Sequence, residues 1–467
     1  MKPRSLFFLR TALLCCVLAA MGRGQYVEDS VGVPGGWVGS MTYNSKADVV
    51  YGTCEMANSV FAIYCPNNIM FRNLPANDAR CVVYDSIDNK AYASCGFYGT
   101  ESLKVIDGQN HIIIGRFSVP GANQLVWEPT RNRLYVTCTN QNRVAVVDCA
   151  SDSVIAQIAV GVAPIALDLN TRRGKLYVQN YDDGSVSVID LATNQVVKTI
   201  QLGGNPDAGY YTPHVDKYYC PNESNDAIAV IDGQSDSIVA RVPIMTNGYV
   251  HAIGGSDTAD LVLAEAYNGP TVLYAIDAIS DTMLSTMDAS GSVWSVVCGP
   301  STGYLYCAST GSDSILVVDP LRASTVGRLA VGAAPFALLP VPLHGRMYVG
   351  CLNVDKVYVI RDSSTGVAES DGMERLTRPR LTASPNPFTS STALTLASVE
   401  TLASAVVICN SYGREVRRLE PARRAPYACG TVWDGRDQAG NALPAGVYVA
   451  RVVGRPEAGT KLVRVLR

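Results

Sequence analysis

Seven steps of 42, 41, 42, 42, 45, 42 and 42 residues separate eight copies of one slot, filled by Cys65, Asp107, Asp148, Asp190, Asp232, Asp277, Asp319 and Arg361. Self-similarity at this period is the mark of a repeat architecture, in which each unit buries its apolar face against the next. The clearest copy runs from Arg133 to Asp148 and on through Ser153 to Val160. Apolar residues alternate in it, and Gly, Asn, Asp and Ser interrupt the alternation at short intervals, which reads as short strands joined by tight turns. Four such strands per copy predict the blades of a β-propeller in an all-β chain.

The copies align on a tyrosine slot: Tyr51, Tyr92, Tyr135, Tyr177, Tyr219, Val262, Tyr306 and Tyr348. Eight inner, second and third strands are countable, but only seven outer ones, because a polar stretch follows Arg361. Residues 25–34 end like Ile158 to Pro164 and are expected to supply the missing outer strand. Such closure would remove the open sheet edges that invite aggregation. A seven-bladed ring is the alternative, since the first copy departs most from the pattern. The slot aspartates and tyrosines are expected to be structural, as turn acceptors and as packing between blades respectively.

The triplets Leu134 to Val136, Leu176 to Val178 and Met347 to Val349, with the Gly-x-x-Pro links Gly161 to Pro164, Gly203 to Pro206 and Gly332 to Pro335, resemble the YVTN β-propeller repeat of bacterial and archaeal surface proteins. The resemblance covers roughly residues 25–361 and implies a fold far more than a function.

Residues 1–24 read as a secretory signal: Lys2 and Arg4, an apolar run from Leu13 to Ala20, then small residues. That run is too short to span a bilayer. Residues 25–361 carry 20 Lys/Arg against 31 Asp/Glu, a net of −11, which argues against a nucleic-acid partner. Cys54, Cys95, Cys138 and Cys351 share one position in four blades and are expected to be small buried hydrophobes, too far apart to pair. No CxxC or Cys/His spacing for a metal is present, and no cofactor is expected.

A polar linker is expected over 362–380, and residues 381–467 reverse the charge balance, with 11 Lys/Arg against 6 Asp/Glu, a net of +5. The run from Ser384 to Phe388, Tyr412 to Leu419, Trp433 to Asp437 and Leu443 to Arg451 resembles the C-terminal sorting domain of the type IX secretion pathway and the Ig-like domain of flagellar hook-capping proteins. The resemblance implies a small β-sandwich that addresses the chain to the cell surface through the secretion machinery. Cys409 and Cys429 depart from that pattern and are candidates for a disulfide across the sandwich.

Catalytic constellations are scarce: four histidines, His111, His214, His251 and His344, and no nucleophile, zinc or phosphate-loop motif. One position, twelve residues before the tyrosine slot, varies instead of repeating: Gly39, Arg80, Asn123, Ile165, Asp207, Val250, Trp294 and Phe336. It lies at the start of each inner strand, so it should ring one mouth of the channel. Arg80, Asn123, Asp207, Trp294 and Phe336 are therefore the candidate ligand-binding residues, for a glycan, peptide or surface protein. The expectation is a secreted or surface-bound, non-catalytic binding protein. The alternative is a lactonase-like hydrolase or lyase drawing on Asp168, Asp207 and His251.

Overall fold

The structure is a computed structural model. It describes residues 25–464 except 97–102, 223–226, 245–249, 251, 268–270, 364–379, 385–389, 398–404, 411–413, 421, 426–427 and 453–454. The signal expected over 1–24, most of the linker and residues 385–388 of the sorting motif lie outside the described residues. The chain is all-β and divides into a unit at Gly24–Ser364 and a second unit from Thr365 onward.

The first unit holds eight four-stranded antiparallel sheets. Seven are consecutive hairpin meanders, for example Ala122–Glu128, Arg133–Cys138, Arg143–Asp148 and Ser153–Ala159. The eighth takes three strands from Pro335–Val341, Arg346–Cys351 and Lys356–Asp362, and its outer strand from Gln25–Gly32. The first strands of the sheets neighbour one another in sequence order, and the last neighbours the first. The sheets are thus the blades of a closed eight-bladed ring. We number them 1 to 8 from Val38–Asn44 onward.

The closing strand pairs with Lys356–Asp362 from Gln25↔Asp362 to Gly32↔Lys356, with a bulge between Val27 and Asp29. Glu28 clamps it. Its carboxylate accepts from Arg346 at 2.6 and 2.9 Å and from Arg361 at 2.8 Å. Burial alone would raise the Glu28 carboxyl, but the two guanidinium groups hold it below the usual range.

The cores lie between blades, one at each of the eight junctions. At every junction the slot side chain of one blade packs on the second strand of the next, as Tyr92 does on Leu134 and Val136. Its hydroxyl then reaches the C-terminal hairpin turn of that next blade. Tyr51 meets His111 Nδ1 at 2.5 Å, and Tyr92 and Tyr219 donate to Asp152 and Asp281 at 2.6 Å. Tyr135 donates to Asn194 at 2.9 Å, Tyr177 to Asp236 at 3.4 Å and Tyr348 to Asn68 at 2.7 Å. All six partners have positive φ, between 50 and 57°, the left-handed corner that Asn and Asp tolerate best. Blade 8 has no such turn, because its outer strand comes from elsewhere in the chain; there Asp362 accepts from Tyr306 at 2.8 Å.

Blade 6 corrects the alignment. Leu263, not Val262, packs on blade 7 with Leu305 and Cys307, and Asp277 pairs with Leu261. The three extra residues of that 45-residue step are split, two before the slot and one after it. Leu263 has no hydroxyl, and the turn residue it faces, Ala323, has no side-chain acceptor. Donor and acceptor are absent together. In blade 1 the register likewise assigns the slot before the turn to Tyr64, which pairs with Val49, rather than to Cys65.

The slot aspartates act as turn acceptors: Asp107 takes the N–H groups of Gln109 and Asn110, and Asp190 those of Ala192 and Thr193. The four aligned cysteines are buried. Burial pushes the Cys54 and Cys351 thiols up to about 12 and Cys138 up to about 11, which removes thiolate character.

The second unit contains two four-stranded antiparallel sheets, with Arg380–Ser384, Thr392–Ala397, Ala428–Trp433 and Ala422–Ala425 in one and Glu415–Leu419, Val406–Cys409, Gly446–Val452 and Arg455–Arg464 in the other. They share a core of Leu394 and Trp433 from one sheet with Ile408, Tyr448 and Ala450 from the other. Cys409 and Cys429 lie on opposite sheets, but the Cys429 side chain, and with it the expected disulfide, falls outside the described residues.

Candidate functional site

Five blades enter their inner strand through a left-handed residue two positions before the variable slot: Trp37, Asp78, Gly121, Ala163 and Ala334 all have φ between 50 and 75°. In five blades the slot follows the first ladder pair and sits in a β-bulge, as Asn123, Trp294 and Phe336 do between Ala122 and Leu125, Val293 and Val296, and Pro335 and Ala337. A bulge leaves a residue outside the ladder and re-aims it, so this position is released from the repeat's packing rules. The slot backbone stays fixed. Ser94 Oγ donates to the carbonyl of Asn123 at 2.7 Å, and Thr53 Oγ1 to that of Arg80 at 3.3 Å.

The five predicted residues separate into groups. Trp294 on blade 7 and Phe336 on blade 8 meet, with ring centroids 5.5 Å apart at 35°. Trp294 is 38% exposed despite that contact. Arg80 on blade 2 pairs with Glu55 of blade 1 at 3.2 Å and with Asp78 at 3.3 Å. Asn123 donates to Thr139 Oγ1 at 3.3 Å within blade 3. Asp207 stands on blade 5, away from the other four in ring order. Val250 departs from the rim entirely and is buried in the core between blades 5 and 6.

Trp37 escaped the sequence reading. It is 42% exposed and holds φ at 72°, where a bulky side chain costs on the order of 1–3 kcal/mol. Hydrogen bonds on both sides maintain it: its N–H donates to Leu352 O of blade 8 at 2.8 Å, and its carbonyl accepts from Glu55 N at 3.2 Å. Gly35, at φ 100°, and Gly36, where a Cβ would meet Leu352 O at 2.8 Å, allow this close approach. A Cβ on Gly39 would lie 3.9 Å from Trp37 Cδ1, so the indole covers the slot that blade 1 leaves empty. The signal was available, since Asp78, Gly121, Ala163, Asn205, Ser292 and Ala334 at the same position are all small or polar.

Blades 4 and 5 hold a polar cluster around Tyr218, at a position that the other blades fill with aliphatic residues. Tyr218 donates to Asp168 Oδ2 at 2.9 Å, Gln179 Nε2 donates to the same atom at 3.3 Å, and Gln179 also contacts the Tyr218 hydroxyl. Tyr218 stacks on Tyr177 at 4.4 Å. Burial pushes the Asp168 carboxyl up to about 7, against the two hydrogen bonds that favour its charged form. On blade 6 Glu265 is fully buried. His251 lies outside the described residues. Among the described residues no group of three His, Cys, Asp or Glu is placed to hold a metal, and no helix is long and apolar enough to cross a membrane.

No family model matches the chain, and no curated protein matches it. Solved structures do. The propeller of Dos1 superposes with a TM-score of 0.61 at 12% identity, over 73% of this chain and 96% of that one. The computationally designed protein Ika8 gives 0.58 at 12% identity, over 70% and 98%. Hydrazine synthase from Kuenenia stuttgartiensis gives 0.51 at 16% identity, over 70% and 96%. At these identities the likeness supports the β-propeller fold alone.

Proposed function

We propose that this is an exported, surface-bound or secreted YVTN-repeat protein that binds a ligand at the channel mouth of its propeller without transforming it. The observation that carries this reading is the Trp294–Phe336 pair, in which two aromatic side chains from neighbouring blades meet at a position that the repeat does not constrain. Aromatic side chains and Arg dominate binding energy where they occur at interfaces. A large apolar ring left 38% exposed serves the core poorly and a ligand well. The second unit acts as an Ig-like sorting domain that hands the chain to the secretion machinery. Its two-sheet sandwich, basic balance and motif order support that role.

The test compares wild type, Trp294→Ala and Arg80→Ala on glycan and peptide arrays. Trp294→Ala should cost on the order of 2 kcal/mol of affinity; equal binding by all three proteins refutes the rim. Removing residues 381–467 should abolish surface display and leave a folded propeller, and display at normal levels refutes the address.

One arrangement favours the hydrolase or lyase alternative: Asp168 is held by Tyr218 and Gln179, and burial pushes its carboxyl up to about 7, where a general acid or base works best. That reading requires turnover of a lactone or uronide substrate by wild type and its loss in Asp168→Asn.

A further inference from the structure

We propose that the rim binds a linear carbohydrate chain along an aromatic arc spanning blades 7, 8 and 1, with Trp37 as its third platform. This rests on the reading of the rim as a binding surface and adds a residue, a direction and a ligand class. Blades 7, 8 and 1 are consecutive across the ring closure, and each presents one aromatic ring at its inner-strand entry: Trp294, Phe336 and Trp37. Two of the four tryptophans in the chain fall in this arc, and they are its two most exposed ones. The arc is continuous through the backbone: Leu352 N–H donates to Ala334 O at 2.9 Å, two residues before Phe336, and Leu352 O accepts from Trp37 N–H at 2.8 Å. At its far end it meets a polar pair, because Glu55, which donates its N–H to Trp37 O, holds Arg80 at 3.2 Å.

Three considerations select a sugar. Trp37 and Trp294 remain 42% and 38% exposed, which makes them platforms rather than the walls of the concave apolar pocket that a peptide anchor needs. A pyranose has a flat C–H face for an aromatic ring and hydroxyl groups at its edges for groups such as Glu55 and Arg80. Trp37 also occupies a left-handed position that Asp78, Gly121, Ala163 and Ala334 fill in other blades, so its bulk serves no backbone requirement. A residue that opposes its own backbone preference at an exposed site is explained by what it touches outside the fold.

The same conformation provides the control. Glycine accepts φ at 72° without strain, so Trp37→Gly should leave the melting temperature unchanged or raise it. The experiment titrates wild type, Trp37→Gly and Trp294→Ala, each as the full chain, with cellohexaose, laminarihexaose and chitohexaose, read by intrinsic tryptophan fluorescence and calorimetry, alongside a random hexapeptide pool. The expected result is binding of at least one hexasaccharide by wild type, weakened about tenfold or more in Trp37→Gly, and a smaller loss with the matching disaccharide, which is too short to span three blades. Loss in Trp294→Ala with none in Trp37→Gly overturns the arc while the rim stands. Binding of the peptide pool with none of the three sugars overturns the ligand class. Unchanged binding in both variants, or no hexasaccharide binding at all, overturns the arc, and in the first case the rim with it.

Discussion

The two ends of the propeller's strands follow opposite rules. At the hairpin end, seven tyrosines reach across the blade junctions and hydrogen-bond to His111, Asp152, Asn194, Asp236, Asp281, Asp362 and Asn68. At the mouth, the aligned slot holds Gly, Arg, Asn, Ile, Asp, Trp and Phe on the seven blades other than blade 6, whose Val250 is in a core. The hairpin end is uniform because every junction poses the same problem, a buried hydroxyl that must be paired. The mouth is free to vary because its bulges take the slot out of the ladder. Where tyrosine is lost at Leu263, the turn acceptor is lost at Ala323. Uniformity therefore marks what holds the ring together, and individuality marks what it presents.

The largest effect should come from breaking the closure. Glu28→Ala leaves Arg346, which is 7% exposed, without its carboxylate partner. Chemical denaturation should show a loss of about 3–5 kcal/mol. Deleting residues 25–34 should cost more, since Val31 and Val33 leave the core between blades 8 and 1. The folded-state pKa of Glu28 is depressed, so its contribution is complete above its unfolded value and is lost as the pH falls through the folded one. Wild type should therefore lose stability in acid more steeply than Glu28→Gln.

Asp168 should behave in the opposite sense. Its folded pKa is raised to about 7, so the folded state binds the proton more tightly and stability declines as pH rises from the ordinary carboxyl range to about 7. Asp168→Asn, which keeps the shape without the charge, should abolish that decline. The gain at pH 8 should be on the order of 1–4 kcal/mol over wild type. A wild-type profile already flat between pH 5 and 8 would contradict the raised Asp168 carboxyl.

The tyrosine staples should each contribute less. Tyr92→Phe keeps the ring in its core and leaves Asp152 without the hydroxyl, which should cost about 1–2 kcal/mol. The sharper version rebuilds the missing staple: Leu263→Tyr combined with Ala323→Asp should be more stable than the sum of the single changes predicts, by about 0.5–3 kcal/mol of coupling. Zero coupling would mean that the two losses are unrelated. The smallest effect belongs to the mouth, where Trp294→Ala should alter stability by no more than about 0.5 kcal/mol.

The repeat was legible in the sequence because each blade meets the same neighbours and keeps the same residues. Eight sheets and closure by Gln25–Gly32 followed from counting strands. The slip to Val262 arose because spacing cannot say where three extra residues enter, whereas packing against Leu305 and Cys307 can. Trp37 was missed because the mouth was read at one aligned position, and the aromatic of blade 1 stands two residues earlier. The meeting of Asp168, Gln179 and Tyr218 was not legible, because it needs three strands of two blades in register. Cys65 was misassigned for a related reason, since a step counted back from Asp107 crosses the longer link between the second and third strands of blade 2, whereas pairing with Val49 selects Tyr64.

One double comparison tests the division of labour directly: thermal unfolding and hexasaccharide or array binding measured on the same preparations of wild type, Tyr92→Phe and Trp294→Ala. The account predicts that Tyr92→Phe melts about 1.5–3 °C lower, since each kcal/mol shifts the melting temperature by about 1.5 °C in a unit as large as Gly24–Ser364, and binds as wild type does. Trp294→Ala should melt with wild type and lose binding. A Trp294→Ala protein that melts early and binds normally, or a Tyr92→Phe protein that melts with wild type and binds poorly, would contradict it.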